Sequence, residues 1–104
     1  MGYLTVKDMQ KQVDDWIQKN GGYWEPLSIL GQCQEELGEL ARVVNNLYGG
    51  RRKKLGDPEG EIGSETSDLM FALVCLLNYH HIDLESAWIK TIDARCERDK
   101  TRYK

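Results

Sequence analysis

The chain has 104 residues and a formal net charge of −3 at pH 7. This length predicts one domain over residues 1–104, with a modest core that self-association would enlarge. The acidic balance argues against the basic surface that duplex nucleic acid requires, so no nucleic acid polymer is expected as a partner. The longest apolar run, residues 69–77, is too short to span a bilayer, and no membrane partner is expected.

The three cysteines form no CxxC pair. Cys33 and Cys75 fall on apolar helix faces, which predicts buried free thiols. Free thiols are typical of a reducing compartment. Residues 1–5 lack the basic region and the apolar region with which a signal peptide begins. A cytoplasmic location is therefore expected.

The first half of the chain predicts two helices. The first follows Thr5, a capping residue that has Asp8 three positions on, and it stops at the Asn-Gly-Gly of residues 20–22. The second begins near Pro26, because proline suits the first turn of a helix. Two glycines at residues 49–50 end this second helix.

The second half opens with a predicted loop over residues 49–60, followed by two more helices. One runs from about residue 61 to residue 80, and the other runs from Asp83, a good capping residue, to about residue 100. No segment alternates as a strand does, so the fold class is all-α, a bundle of four helices. Trp16 and Trp88 lie on apolar stripes and are predicted to be core residues.

Two acidic motifs, EELGE and ETSD, lie on the second and third predicted helices. Because residues three apart share a helix face, Glu36 and Glu39 point the same way from one helix, and Glu65 and Asp68 point the same way from the other. Either motif alone would be typical of a solvated surface, but both border apolar stripes. If the helices pack side by side, four carboxylates converge and require a cation. Clustered oxygen ligands suit a hard divalent ion, which predicts a Mg²⁺ site, with Mn²⁺ also able to bind.

The pattern EExxE, a loop, then ExxD and an apolar run resembles the all-α nucleoside triphosphate pyrophosphohydrolases, the MazG-like family. Residues 30–42, 68–74 and 82–87 carry the likeness, which covers nearly all of residues 5–100. The resemblance implies a four-helix MazG-like bundle. It also implies hydrolysis of a nucleoside triphosphate between the α and β phosphates, which gives a monophosphate and pyrophosphate.

The resemblance extends to individual site residues. The family's metal ligands match Glu36, Glu39, Glu65 and Asp68 in this chain, and Mg²⁺ would bridge them to the phosphate oxygens. Either Glu35 or Glu36 would orient or deprotonate the attacking water. The sequence leaves the choice between these two catalytic candidates open.

The family often carries a Lys-aromatic-x-x-Arg pattern late in its last helix. In this chain Arg98 matches the arginine, whereas Ala94 stands at the lysine position. Arg95 is the substitute candidate for the phosphate contact, although one residue along a helix it points about 100° away.

Two further features have a functional and a structural interpretation. The basic run over residues 51–54 would capture phosphates, with Lys54 as the candidate, or it is a solvated loop. Trp24 lies near the start of the acidic helix and would stack on a base, or it serves core packing or a subunit contact.

The third predicted helix is apolar on nearly every side between residues 69 and 77. A helix of that kind must be covered all round, and three other short helices are too few to cover it. A large exposed apolar patch is rare on a soluble monomer, so a homo-oligomer, either a dimer or a tetramer, is expected.

Two other functional classes stay open at this point. One is a carboxylate-bridged di-iron or di-manganese bundle. Ferritin-like bundles use a Glu-x-x-His pair, and neither His80 nor His81 lies three residues after a glutamate. The other class is a non-catalytic helical dimerisation module.

Overall fold

A computed structural model describes residues 2–48 and 61–100, and all the regular structure within them is helical. The four helices are α1 (Val6–Lys19), α2 (Pro26–Tyr48), α3 (Ile62–Tyr79) and α4 (Leu84–Asp99). The predicted all-α, four-helix class is confirmed, and the helix ends agree with the sequence within one or two residues. The predicted loop, Lys54 included, lies outside the described residues. None of the described helices is long and apolar enough to cross a membrane.

Local signals fix the helix ends. Thr5 and Asp8 exchange two hydrogen bonds of 3.0 Å, the predicted capping box at the start of α1. These bonds from Thr5 lower the pKa of Asp8 below its ordinary value. Asp83 caps α4 by accepting a 3.2 Å hydrogen bond from the backbone N–H of Ser86. The two glycines at residues 21–22 adopt φ values of 106° and 86°, which side chains disfavour, so the chain turns sharply from α1 towards α2.

Helices α1, α2 and α3 share one core, in which α2 and α3 make the most extensive contact. Glu36 faces Asp68 while Cys33 lies beside Cys75, so α2 and α3 run antiparallel. Both thiols are buried and free, as the sequence predicts, and burial raises the pKa of Cys75 to about 11. The buried residues of the core are Val13, Ile29, Cys33, Ala72, Val74 and Cys75.

Gln10 of α1 joins the end of α3 to the start of α4. Its Nε2 donates hydrogen bonds of 2.9 Å to Asn78 Oδ1 and to the Ile82 carbonyl. Its Oε1 accepts from the backbone N–H of Leu84 at 2.8 Å. Asn78 Nδ2 returns a 3.0 Å bond to the Gln10 carbonyl. One side chain therefore fixes where α4 departs from the core.

Helix α4 packs on α1, and none of its residues, all of which are described, is buried. Trp88 is 62% exposed and Ile89 is 53% exposed. The core prediction for Trp88 is therefore wrong within the single chain. It is also wrong for Trp16, which is 55% exposed. Both residues do lie on apolar stripes, but the described helices leave those stripes uncovered.

Candidate functional site

Three carboxylates meet where α2 faces α3. Glu36 from α2, and Glu65 and Asp68 from α3, each place one oxygen atom within 4.8 Å of the other two. Glu36 and Glu65 are half-buried, and Asp68 is exposed. Oxygen ligands about 2.1 Å from one Mg²⁺ lie roughly 3 to 4.2 Å apart, so small side-chain rotations would close the three around an ion. The donor set therefore fits a divalent cation.

A cavity of about 300 Å³ adjoins these carboxylates. Glu36 and Asp68 line one part of it, and aromatic rings from α1, α3 and the α1–α2 turn line another. The rings of Trp16 and Phe71 meet edge to face, with centroids 5.6 Å apart and an interplanar angle of 87°. Trp24 lines the same cavity. The site thus combines clustered negative charge with an apolar, aromatic recess.

Trp24, the predicted base-stacking residue, follows a tyrosine that is anchored to the rest of the fold. Tyr23 packs against the core, and its hydroxyl donates a 2.7 Å hydrogen bond to Asp14 Oδ1. Burial, together with this bond, raises the pKa of Tyr23 to about 12. Trp24 itself is 61% exposed, so its ring is available at the mouth of the cavity.

A glutamine fixes the orientation of one carboxylate. Gln32 lies one helical turn before Glu36 on α2, and its Nε2 donates a part-buried hydrogen bond of 2.7 Å to Glu36 Oε1. Such a partner restrains the rotamer of a metal ligand. The sequence interpretation missed Gln32, although its spacing of four from Glu36 was the available signal.

Glu39, the fourth predicted ligand, is not part of the group. Its carboxylate accepts a 3.1 Å bond from Arg42 Nη2, and its side chain is 53% exposed. Three residues along α2 from Glu36, it is rotated by about 60° around the helix. Glu35 is exposed and does not line the cavity. Of the two catalytic candidates, only Glu36 faces the recess.

The predicted phosphate contacts on α4 are not brought to the carboxylates by their own chain. Within the described ranges, no α4 residue lines the cavity, and the main helix contact of α4 is with α1. Arg98 instead donates hydrogen bonds of 2.9 and 2.8 Å to the neighbouring Asp99 carboxylate. Arg95 is exposed.

Three further lining residues were absent from the predicted site. Trp16 was assigned to the core, Asn20 was interpreted only as a helix stop, and Phe71 was counted only in the apolar run. A helix-ending asparagine carries no pattern that distinguishes a cap from a ligand contact. An aromatic residue on an apolar stripe likewise gives no sign of what will cover it.

The chain is similar in sequence and structure to known proteins. No family model matches the chain. It is 42% identical over 104 residues to the uncharacterized protein YpjD of Bacillus subtilis strain 168, covering 99% of this chain and 94% of that one. The crystal structure of YpjD from Bacillus subtilis, described as a candidate pyrophosphatase, matches with a TM-score of 0.80 and 40% identity over 90% of this chain and 97% of that one. The Bacillus-conserved MazG protein, a nucleotide pyrophosphohydrolase, matches with a TM-score of 0.77 and 39% identity over 90% and 92% of the two chains.

Proposed function

The chain belongs to the MazG-like all-α pyrophosphohydrolase family, and from this premise we propose that it hydrolyses a nucleoside triphosphate between the α and β phosphates. The protein is a hydrolase that acts on phosphoanhydride bonds. One observation supports the substrate: two members of the carboxylate group, Glu36 and Asp68, line an aromatic cavity, and the third, Glu65, lies beside them. This arrangement offers stacking surfaces for a base beside a cation site for phosphates.

The metal would be Mg²⁺, or Mn²⁺ in the same oxygen-ligand geometry. Glu36, Glu65 and Asp68 would hold it, and Glu39 would join them after its side chain turns away from Arg42. When bound, the ion would neutralise charge on the phosphate oxygens and make a coordinated water more acidic. The group has no histidine among the described residues, which favours Mg²⁺ over the iron of a di-iron bundle.

The chain's own groups would perform the remaining work. Gln32 would keep the Glu36 carboxylate oriented, which reduces the freedom lost when a metal binds. Glu36 faces the cavity and is the nearer candidate to orient the attacking water, whereas Glu35 would have to swing inwards. Trp24 would stack on the base from the mouth of the cavity. The positions of Gln32, Glu36 and Trp24 around the cavity support these proposed roles.

We propose a homo-oligomer as the working form, a dimer or a tetramer. Exposed apolar residues lie on several helices, among them Leu37 at 54%, Leu73 at 43% and Trp88 at 62%. A second copy of the chain could cover them. It could also supply Arg95 and Arg98 to the phosphates, which α4 does not do within one chain. Lys54 is the remaining proposed phosphate contact.

We also propose a cytoplasmic location and a single domain over residues 1–104. Cys33, Cys75 and Cys96 are all free, and free thiols suit a reducing compartment. One hydrophobic core links the first three helices, and Leu84 at the start of α4 packs against it.

Pyrophosphate release tests the proposed reaction. Nucleoside and deoxynucleoside triphosphates with millimolar Mg²⁺ should yield monophosphate and pyrophosphate, and EDTA should stop release. Asp68→Asn should lower the rate by more than about 100-fold, because it removes a metal ligand rather than a supporting partner. The matched control is Asp93→Asn, an exposed aspartate of α4 outside the cavity. No release from any nucleotide, or an unchanged rate in Asp68→Asn, would refute the proposal.

A further inference from the structure

Asn20 caps the end of α1 and lines the cavity, and one hydrogen bond restrains its exposed side chain. Its Nδ2 donates a 2.7 Å hydrogen bond to the carbonyl of Trp16, four residues earlier. Its backbone N–H donates to the Ile17 carbonyl at 3.0 Å. Turning the amide over would place its oxygen against the Trp16 carbonyl, where two acceptors repel. Among the hydrogen bonds of the described residues, none reaches Asn20 Oδ1.

Two other polar side chains of the cavity are held by protein partners. The Tyr23 hydroxyl donates to Asp14, and the Gln32 amide donates to Glu36. Asn20 instead comes from α1, next to Trp16, whose ring forms part of the aromatic wall. A base lying against that wall, with its phosphates towards α2 and α3, would present its edge to Asn20.

An amide oxygen accepts hydrogen bonds and cannot donate them. The amino groups at cytosine N4 and adenine N6 donate, whereas thymine and uracil carry a carbonyl oxygen at the position of the cytosine amino group. That carbonyl oxygen would face Asn20 Oδ1 with no hydrogen between the two acceptors. Both oxygen atoms would lose their hydrogen bonds to water on binding and gain none in return. Asn20 would therefore distinguish an amino group from a carbonyl oxygen at this one position of the base.

We propose that Asn20 is the specificity-determining residue and that the cavity prefers nucleotides whose base carries an amino group at the position of cytosine N4 or adenine N6. This inference rests on the proposed function, in which the cavity holds the base of a nucleotide. Asn20 also ends α1, so its loss would weaken the binding of every nucleotide to some extent. The ratio of kcat/KM for two nucleotides separates the role in base selection from the structural role at the end of α1. A purely structural defect lowers kcat/KM for both nucleotides alike.

The pair dCTP and dUTP tests the proposal, since the two bases differ only in the amino or carbonyl group at C4 and in the hydrogen that uracil carries on N3. Wild-type kcat/KM should favour dCTP by about tenfold, the size expected from one hydrogen bond to a desolvated acceptor. Asn20→Ala should bring the ratio close to one. Gln18→Ala is the matched control, because the Gln18 amide is exposed and bonds only to Asp14 at 3.4 Å. It should preserve the wild-type ratio.

Binding of the monophosphates dCMP and dUMP gives a second measurement that needs no turnover. Both would quench the fluorescence of Trp16 and Trp24, and dCMP should bind about tenfold more tightly in the wild type but not in Asn20→Ala. An Asn20-dependent dCMP preference without pyrophosphate release would refute the proposed reaction and support this inference. Pyrophosphate release with a ratio near one, or a ratio that Asn20→Ala leaves unchanged, would refute this inference alone. Failure of both monophosphates to bind, or of dCMP alone, would also overturn it.

Discussion

Gln32 and Glu36 are joined by a part-buried hydrogen bond of 2.7 Å between the Gln32 amide and Glu36 Oε1. Glu36 is the only member of the three-carboxylate group that α2 supplies, since Glu65 and Asp68 both come from α3. The bond therefore restrains the side chain that must bridge the two helices. It also leaves the negative charge of the carboxylate available to a cation, because a neutral amide does not compete for it.

Gln32→Ala should weaken Mn²⁺ binding in the absence of nucleotide by about tenfold, the lower end of the effect of removing a partner of a metal ligand. The dissociation constant can be measured from the paramagnetic resonance signal of free Mn²⁺. Gln34→Ala, an exposed glutamine of the same helix, should leave it unchanged. Equal dissociation constants for Gln32→Ala and the wild type would contradict a positioning role for Gln32.

Much of the fold could be predicted because its signals are local. The capping box of Thr5 and Asp8 depends on residues three apart, and the Asp83 cap depends on Ser86 three residues later. Nothing distant competes with such bonds. The contact between α2 and α3 follows from two adjoining apolar stripes.

The sequence does not indicate which helix covers a given apolar stripe. Trp16 and Trp88 have the periodicity of core residues, yet one lines a cavity and the other is exposed on α4. Periodicity identifies an apolar face without identifying its neighbour. The same limit applies to Glu39, which shares a motif with Glu36 but is paired with Arg42. A spacing of three brings two residues near each other without making them point at one ion.

Metal binding should stabilise the folded chain, because three carboxylates with oxygen atoms within 4.8 Å repel one another when no cation lies between them. Mg²⁺ at ten times its dissociation constant should raise the free energy of unfolding by about 1.4 kcal/mol and the melting temperature by roughly 5–10 °C. Calorimetry with and without Mg²⁺ measures this shift.

Asp68→Asn should abolish that shift without lowering the melting temperature of the metal-free protein, since it removes one of the repelling charges. Glu35→Gln removes the same charge from an exposed residue outside the group, so the Mg²⁺ shift should persist. A wild-type melting curve that does not respond to millimolar Mg²⁺ would argue against a functional metal site.

Gln10→Ala should destabilise the fold without touching the carboxylates. It removes two bonds donated to Asn78 and Ile82 and leaves the backbone N–H of Leu84 without its acceptor. The expected loss is about 2–3 kcal/mol of unfolding free energy. Urea titration followed by circular dichroism measures it, with the exposed Gln12→Ala as the control. A change below about 0.5 kcal/mol would mean that water replaces these bonds without cost.

Oligomer formation and activity should fall together. Leu73 is 43% exposed on α3, and a charge there would have to be buried if a second copy covers that helix. Light scattering should give the wild type a mass of at least twice 12.0 kDa, and Leu73→Glu should shift it towards the monomer. Tyr3→Glu, at a residue that is 97% exposed outside the helices, should leave the mass unchanged.

Activity should decline in the same Leu73→Glu protein, because α4 does not bring Arg95 or Arg98 to the cavity of its own chain. If a second copy supplies those charges, the monomer lacks phosphate contacts even though its three carboxylates are intact. Adding the Asp68→Asn variant, which keeps Leu73 and both arginines, would then restore part of the rate through mixed oligomers. A stable monomer of 12.0 kDa with full pyrophosphate release would refute both the oligomer and the shared phosphate site.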